Sequence, residues 1–127
     1  MRQNTSGFTL IELIMVVVIL AILAVVALPK YFDLQSQAQA SSEQGAVGGV
    51  RAGIQTFYGN ACANGTCAYP AALDAANVAA CSASNPCFTN IMSQSITSSG
   101  WTKASATTYT GPAGTTYTYT AGTGTFQ

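Results

Sequence analysis

The sequence predicts an α+β chain: one long N-terminal helix over about residues 8–58, a small antiparallel sheet at the C-terminus, and a disulfide-stapled loop region between them. Three observations predict it. An apolar run extends from Leu10 to Leu28 with a single acid, Glu12, inside it. Helical spacing of apolar residues continues past that run to Phe57, and the final stretch alternates Thr and Tyr with a period of two.

The apolar run comes first. At about 1.5 Å per residue, a helix over Leu10–Leu28 covers roughly 28 Å, close to the hydrocarbon thickness of a bilayer. Arg2 stays on the cytoplasmic side under the positive-inside rule, and the remainder is exported. A cleavable secretory signal fits less well, because the run exceeds a usual signal core, carries an acid near its start, and is followed by Pro29-Lys30 with a helical pattern continuing beyond. A plain signal anchor leaves Glu12 unexplained, and an acid inside a membrane helix points to function.

Pro29 lacks an N–H and crowds the preceding turn, so the sequence places a kink or break in the helix there. The pattern resumes with Leu34 and Ala38. Val47, Val50, Ile54 and Phe57 then return at helical spacing, and Gly59-Asn60 supplies a stop signal. This amphipathic half is expected to lie across a sheet. Gly45, Gly48, Gly49 and Gly53 each cost about 1 kcal/mol relative to Ala in a helix interior. They mark either close backbone packing or a break near Gly48-Gly49.

From Asn60 to about Ser99 the composition turns to Ala, Asn, Ser and Cys. The cysteines Cys62, Cys67, Cys81 and Cys87 form an even, clustered set, which in a small exported domain reads as two disulfides. Each of the pairs Cys62–Cys67 and Cys81–Cys87 brackets a turn, which favours that connectivity. A longer link such as Cys67–Cys81 staples the loop more strongly in the entropic picture and stays open. A four-thiolate zinc site is the competing reading, disfavoured by the spacing within each pair. Tyr69-Pro70 followed by Ala71 to Val78 reads as a short helix with Pro70 at its first position. Phe88 to Ile96 reads as another helical turn or a short strand.

After Trp101, Thr107–Thr110, Gly111-Pro112-Ala113-Gly114 and Thr115–Thr120 read as strand, turn and strand, with Thr123–Phe126 as a further strand. Tyr109, Tyr117 and Tyr119 fall on one face and threonines on the other. That aromatic face is expected to pack on Val47, Val50, Ile54 and Phe57, the alternative being a platform for sugar rings.

Charged residues make up 6% of the chain, four basic against four acidic, where about a quarter is usual. Arg2, Lys30, Arg51 and Lys103 are scattered, so no specific nucleic-acid contact is evident. There is no His and the four acids lie far apart, which gives little support to a hydrolase, an enzyme of another kind, a metal site or a bound cofactor.

Gly7-Phe8-Thr9-Leu10-Ile11-Glu12, preceded by a short polar leader and followed by an apolar run broken at Pro29, resembles the N-terminus of type IV prepilins, particularly type IVa-like pilins, and of type II secretion pseudopilins. The likeness covers about residues 1–35. It implies a pilin-like fold, with residues 1–7 a cleaved cytoplasmic leader, 8–29 a transmembrane and filament-core helix, and 30–127 a periplasmic or extracellular globular domain that includes the amphipathic half of the helix. It further implies cleavage after Gly7 by a prepilin peptidase, N-methylation of the new terminus at Phe8, and pairing of Glu12 with the Phe8 amine of a neighbouring subunit. The implied partners are further copies in a helical filament, the peptidase/N-methyltransferase, the pilus assembly machinery of the inner membrane, and the membrane itself before assembly.

These readings converge on a structural subunit that polymerises through its apolar helix into a pilus-like surface filament of a bacterium, the globular part being periplasmic before assembly. A major or minor pseudopilin of a type II secretion system is the alternative. Many major pseudopilins carry an acidic calcium-binding loop near the end, and no Asp or Glu follows Trp101 here. A membrane-anchored surface-binding protein using the C-terminal aromatics, and a redox or metal protein using the four cysteines, are readings of other classes.

Overall fold

A computed structural model describes residues 6–97 and 100–127. Arg2 and most of the leader lie outside the described residues. The described residues form one helix, α1 (Leu10–Ala63), and four strands, β1 (Thr102–Lys103), β2 (Thr108–Thr110), β3 (Thr116–Thr120) and β4 (Thr125–Phe126). It divides into two compact units, Met1–Gln37 and Ala38–Gln127, and α1 contributes to both.

In the first unit α1 is apolar on every side. Each large apolar side chain from Leu10 to Leu28 is at least 51% exposed, so among the described residues this surface has no partner within its own unit. Pro29 lies inside α1 and the helix runs on across it, so the residue expected to break the helix does not end it. What Pro29 removes is the N–H that would reach the Val25 carbonyl.

In the second unit Glu43, Val47, Val50 and Ile54 are the buried residues of α1, one stripe at helical spacing. The helix passes the expected stop at Gly59-Asn60 and ends one turn later in a Schellman motif. Gly65 takes φ 86°, its N–H donates to the Cys62 carbonyl, and the Thr66 N–H donates to the Ala61 carbonyl. The Cys62–Cys67 disulfide closes over this cap, and Cys81–Cys87 closes the next loop. All four thiols are thereby used in the favoured connectivity, which sets aside the four-thiolate site and the Cys67–Cys81 link.

The strands form an antiparallel meander in the order β1-β2-β3-β4. Tyr109 pairs with Tyr117 across β2 and β3, and Tyr119 pairs with Phe126 across β3 and β4. Tyr109 and Tyr119 are buried with Trp101, Phe126 and Phe88 against Val47, Val50 and Ile54. The threonines of β3 face outward. Half-burial therefore holds as expected, and the rings proposed as a sugar platform are spent on the core. Phe57 is the exception: at 38% exposed it stays outside the buried set. The open edge of β1 is covered by the loop before it, through Lys103 N–H to the Ala79 carbonyl and Cys81 N–H to the Trp101 carbonyl.

The short helix expected after Pro70 does not form. The backbone groups it requires are bound elsewhere: the Leu73 carbonyl accepts from the Asn90 N–H, the Ala72 carbonyl from Asn90 Nδ2, and the Asn77 N–H donates to Asn85 Oδ1. Within 88–96 a single turn forms, with the Met92 N–H on the Phe88 carbonyl, followed by a bridge between Cys87 and Ile96.

The helix glycines separate into two kinds. A Cβ on Gly53 would stand 2.4 Å from the Ile91 carbonyl oxygen, whereas a Cβ on Gly45 or Gly48 would meet nothing within 4 Å. Gly53 is thus set by close backbone packing and α1 does not break at Gly48-Gly49. Gly53→Ala is expected to destabilise the chain by about 1–3 kcal/mol through overpacking. Gly48→Ala is expected to stabilise it by up to about 1 kcal/mol through helix propensity. Denaturant midpoints of the detergent-solubilised chain decide, and equal shifts of the same sign would contradict this division.

Candidate functional site

The segment singled out by sequence, Gly7, Phe8 and Glu12, lies at the start of α1. Ser6, Gly7, Phe8 and Glu12 line an open concavity there, and Phe8 is 90% exposed. Thr9 is the N-cap. Its backbone N–H and its Oγ1 hydroxyl both donate to Glu12 Oε2 at 2.9 Å, and the Glu12 N–H reaches back to Thr9 Oγ1 at 3.4 Å. This is a capping box: the carboxylate and the hydroxyl satisfy amide donors that a helix start otherwise leaves open. Glu12, the awkward acid of the sequence, thus has a local partner before any second molecule arrives. Its signal, Thr followed three residues later by Glu ahead of an apolar run, stands in the sequence as Thr9-Leu10-Ile11-Glu12, where the charge of Glu12 in an apolar run overshadows its place at a helix start.

Two polar centres in the second unit had no counterpart in the sequence reading. In the first, the buried Asp74 carboxylate accepts four hydrogen bonds. Oδ1 takes Lys103 Nζ and the Ala76 N–H; Oδ2 takes the Phe88 N–H at 2.8 Å and the Tyr109 hydroxyl at 3.0 Å. Lys103 Nζ also donates to the Ala76 carbonyl and lies 5.7 Å from the centre of the Tyr109 ring. Phe88 adopts φ 64°, a left-handed conformation unusual for a bulky residue. Its N–H bonds Asp74 while its ring packs at 4.6 Å from that of Tyr109. Burial, then the charge of Asp74 and its hydrogen bond, push the Tyr109 hydroxyl far above the usual tyrosine range, so it remains a donor.

The second centre joins the helix to the β2–β3 turn. Glu43 is buried and accepts from the Ala113 N–H at 2.6 Å and from the Tyr117 hydroxyl at 2.8 Å. Burial works to raise the Glu43 carboxyl, but the hydroxyls of Thr115 and Tyr117 and the Ala113 amide together outweigh it and hold it below the usual carboxylate range. Tyr117 is raised in turn, by burial and then by its bond to Glu43. Gly111 gives the carboxylate room, since a Cβ there would stand 2.4 Å from Glu43 Cδ. More than two turns further along α1, Arg51 Nε donates to the Phe126 carbonyl at 2.9 Å and ties α1 to β4. Both carboxylates are held by internal donors, four on Asp74 and one on each oxygen of Glu43, so their chemistry is to fix the fold.

Among the described residues, no three His, Cys, Asp or Glu side chains converge as metal ligands. Residues 2–28 match the family described as the prokaryotic N-terminal methylation motif. No curated protein and no solved structure matches the chain. The N-terminal segment therefore carries the type IV prepilin-like leader signature, which supports a type IV pilin-like or pseudopilin protein and implies a structural subunit. The leader motif implies processing by a prepilin peptidase and assembly into a filament, and with the apolar helix it fits membrane anchoring before assembly.

Proposed function

We propose that this chain is the structural subunit of a type IV pilus-like surface filament. The observation that carries the reading is the methylation motif over residues 2–28 joined to a helix whose large apolar side chains from Leu10 to Leu28 are all exposed. Residues 1–7 are a cytoplasmic leader removed after Gly7, residues 8–29 anchor the subunit in the inner membrane and later pack in the filament core, and residues 30–127 form the periplasmic, then extracellular, part. Phe8 becomes the N-methylated terminus. Its amine and the Glu12 carboxylate are each costly in an apolar core when alone, and a pair between neighbours cancels both charges. Thr9 holds the carboxylate at the helix start until that amine exists. A pseudopilus subunit is the second reading, and the lack of any Asp or Glu after Trp101 favours the pilus over it.

The test combines two measurements. Mass spectrometry of the mature protein is expected to show a methylated Phe8 terminus, where an intact Met1 would exclude this processing. Glu12→Ala is expected to be cleaved and inserted normally yet to lose most sheared filament; a filament yield equal to that of the parent chain would remove Glu12 from assembly. Filaments on the cell surface, with no secretion defect when the chain is absent, distinguish pilus from pseudopilus.

A further inference from the structure

Seven charged side chains fall among the described residues, and five of them are engaged within the chain. Glu12 caps α1, Glu43 holds Ala113 and Tyr117, Asp74 and Lys103 pair, and Arg51 binds the Phe126 carbonyl. Lys30 and Asp33 are the two left over. Both are exposed, and the ion pair found among the described residues is Lys103–Asp74. At about 100° per residue, Asp33, Lys30, Leu34 and Tyr31 occupy one helix face of roughly 160°. Tyr31 is 70% and Leu34 64% exposed, so large apolar side chains flank the two charges on a face without a partner in its own unit.

We propose that this face is a contact between copies of the chain, in which Lys30 of one subunit pairs with Asp33 of its neighbour while Tyr31 and Leu34 are covered. The proposal rests on the filament reading given above. Charge order carries it. A lysine one turn ahead of an acid is the poorer orientation for a pair within one helix, so little holds the two charges together in cis. Between parallel neighbours the spacing becomes useful. Bringing Lys30 level with the neighbour's Asp33 shifts one helix by three residues, about 4.5 Å, toward the C-terminus of the other. Bringing the Phe8 amine level with the neighbour's Glu12 shifts it by four residues, about 6 Å, in the same direction. In both pairs the cation precedes the acid, so the two staggers run in the same direction and differ by about 1.5 Å, one residue of helix rise, with one pair at the start of the apolar run and one just past its end. A face that carries both a cation and an acid offers each subunit one half of the contact to the neighbour on either side, as a head-to-tail filament contact requires.

The experiment uses the full chain in a filament-producing host. Lys30→Asp and Asp33→Lys each set like charges together at the same stagger, and each is expected to lower sheared filament about tenfold, equivalent to about 1.4 kcal/mol per contact. Membrane level and processing at Phe8 should be unchanged. The double variant Lys30→Asp/Asp33→Lys restores opposite charges and is expected to recover most of the yield. Normal filament from either single variant, or a double variant no better than the singles, would overturn the pair. Loss confined to Lys30→Asp would assign that residue to lipid headgroups and overturn it as well. Processed parent chain that forms no filament would instead overturn the filament reading, and this contact with it.

Discussion

Asp74→Ala is expected to be the most destabilising single truncation in the globular unit, at about 3–5 kcal/mol, the range for stripping one partner from a buried ion pair. The substitution leaves Lys103 buried with only the Ala76 carbonyl, and it strands the Phe88 and Ala76 amides and the Tyr109 hydroxyl together. The converse change is expected to cost less. In Lys103→Met the carboxylate keeps three donors, and the methionine refills the space beside Tyr109. A double variant, Asp74→Ala/Lys103→Met, is expected to fall well short of the sum of the two single effects, because no buried ion remains. Urea midpoints of the solubilised chain measure all three. Equal losses from Asp74→Ala and Lys103→Met would show that the carboxylate is not the hub of this centre.

That centre was illegible in the sequence for a physical reason. Asp74 and Lys103 stand 29 positions apart, and what joins them is the packing of Phe88, Trp101 and Tyr109, not any local spacing. The same residue explains why Pro70 and its alanines failed as a helix. Once Asp74 is fixed by four long-range donors and the Leu73 carbonyl by Asn90, local propensity has no free backbone groups to act on. By contrast, periodicity carries information where burial is one-sided. The stripe Val47, Val50, Ile54 and the alternation of Tyr109, Tyr117 and Tyr119 both gave the correct inward faces. Boundaries proved weaker: Gly59-Asn60 looked like a stop, but the helix yields only where Gly65 can take a positive φ and two carbonyls find donors. At the N-terminus the motif over Gly7 to Glu12 was fully visible, and what went unseen was that Thr9 and Glu12 already form a closed local unit.

Glu43 is expected to set the acid limit of the clasp between α1 and the β2–β3 turn. Its carboxyl is held below the usual value of 4.5 in the fold, so its contribution is fully present above that pH and is lost as pH falls through the lowered folded value. Glu43→Ala removes the acceptor for the Ala113 amide and the Tyr117 hydroxyl, at about 1–3 kcal/mol for each donor left unsatisfied in a buried place. It also leaves a void against Gly111, which has no side chain to fill it. Glu43→Gln keeps the volume and one acceptor oxygen, so it is expected to cost less than Glu43→Ala at neutral pH. Below pH 4.5 the gap between the parent chain and Glu43→Gln should close, since protonation brings the parent carboxyl to a similar neutral state. Stability measured from pH 7 down to pH 3 for the parent and both variants tests this. A gap between parent and Glu43→Gln that stays constant across that range would place the acid sensitivity elsewhere. It would then mean that Glu43 supports the turn by packing rather than by charge.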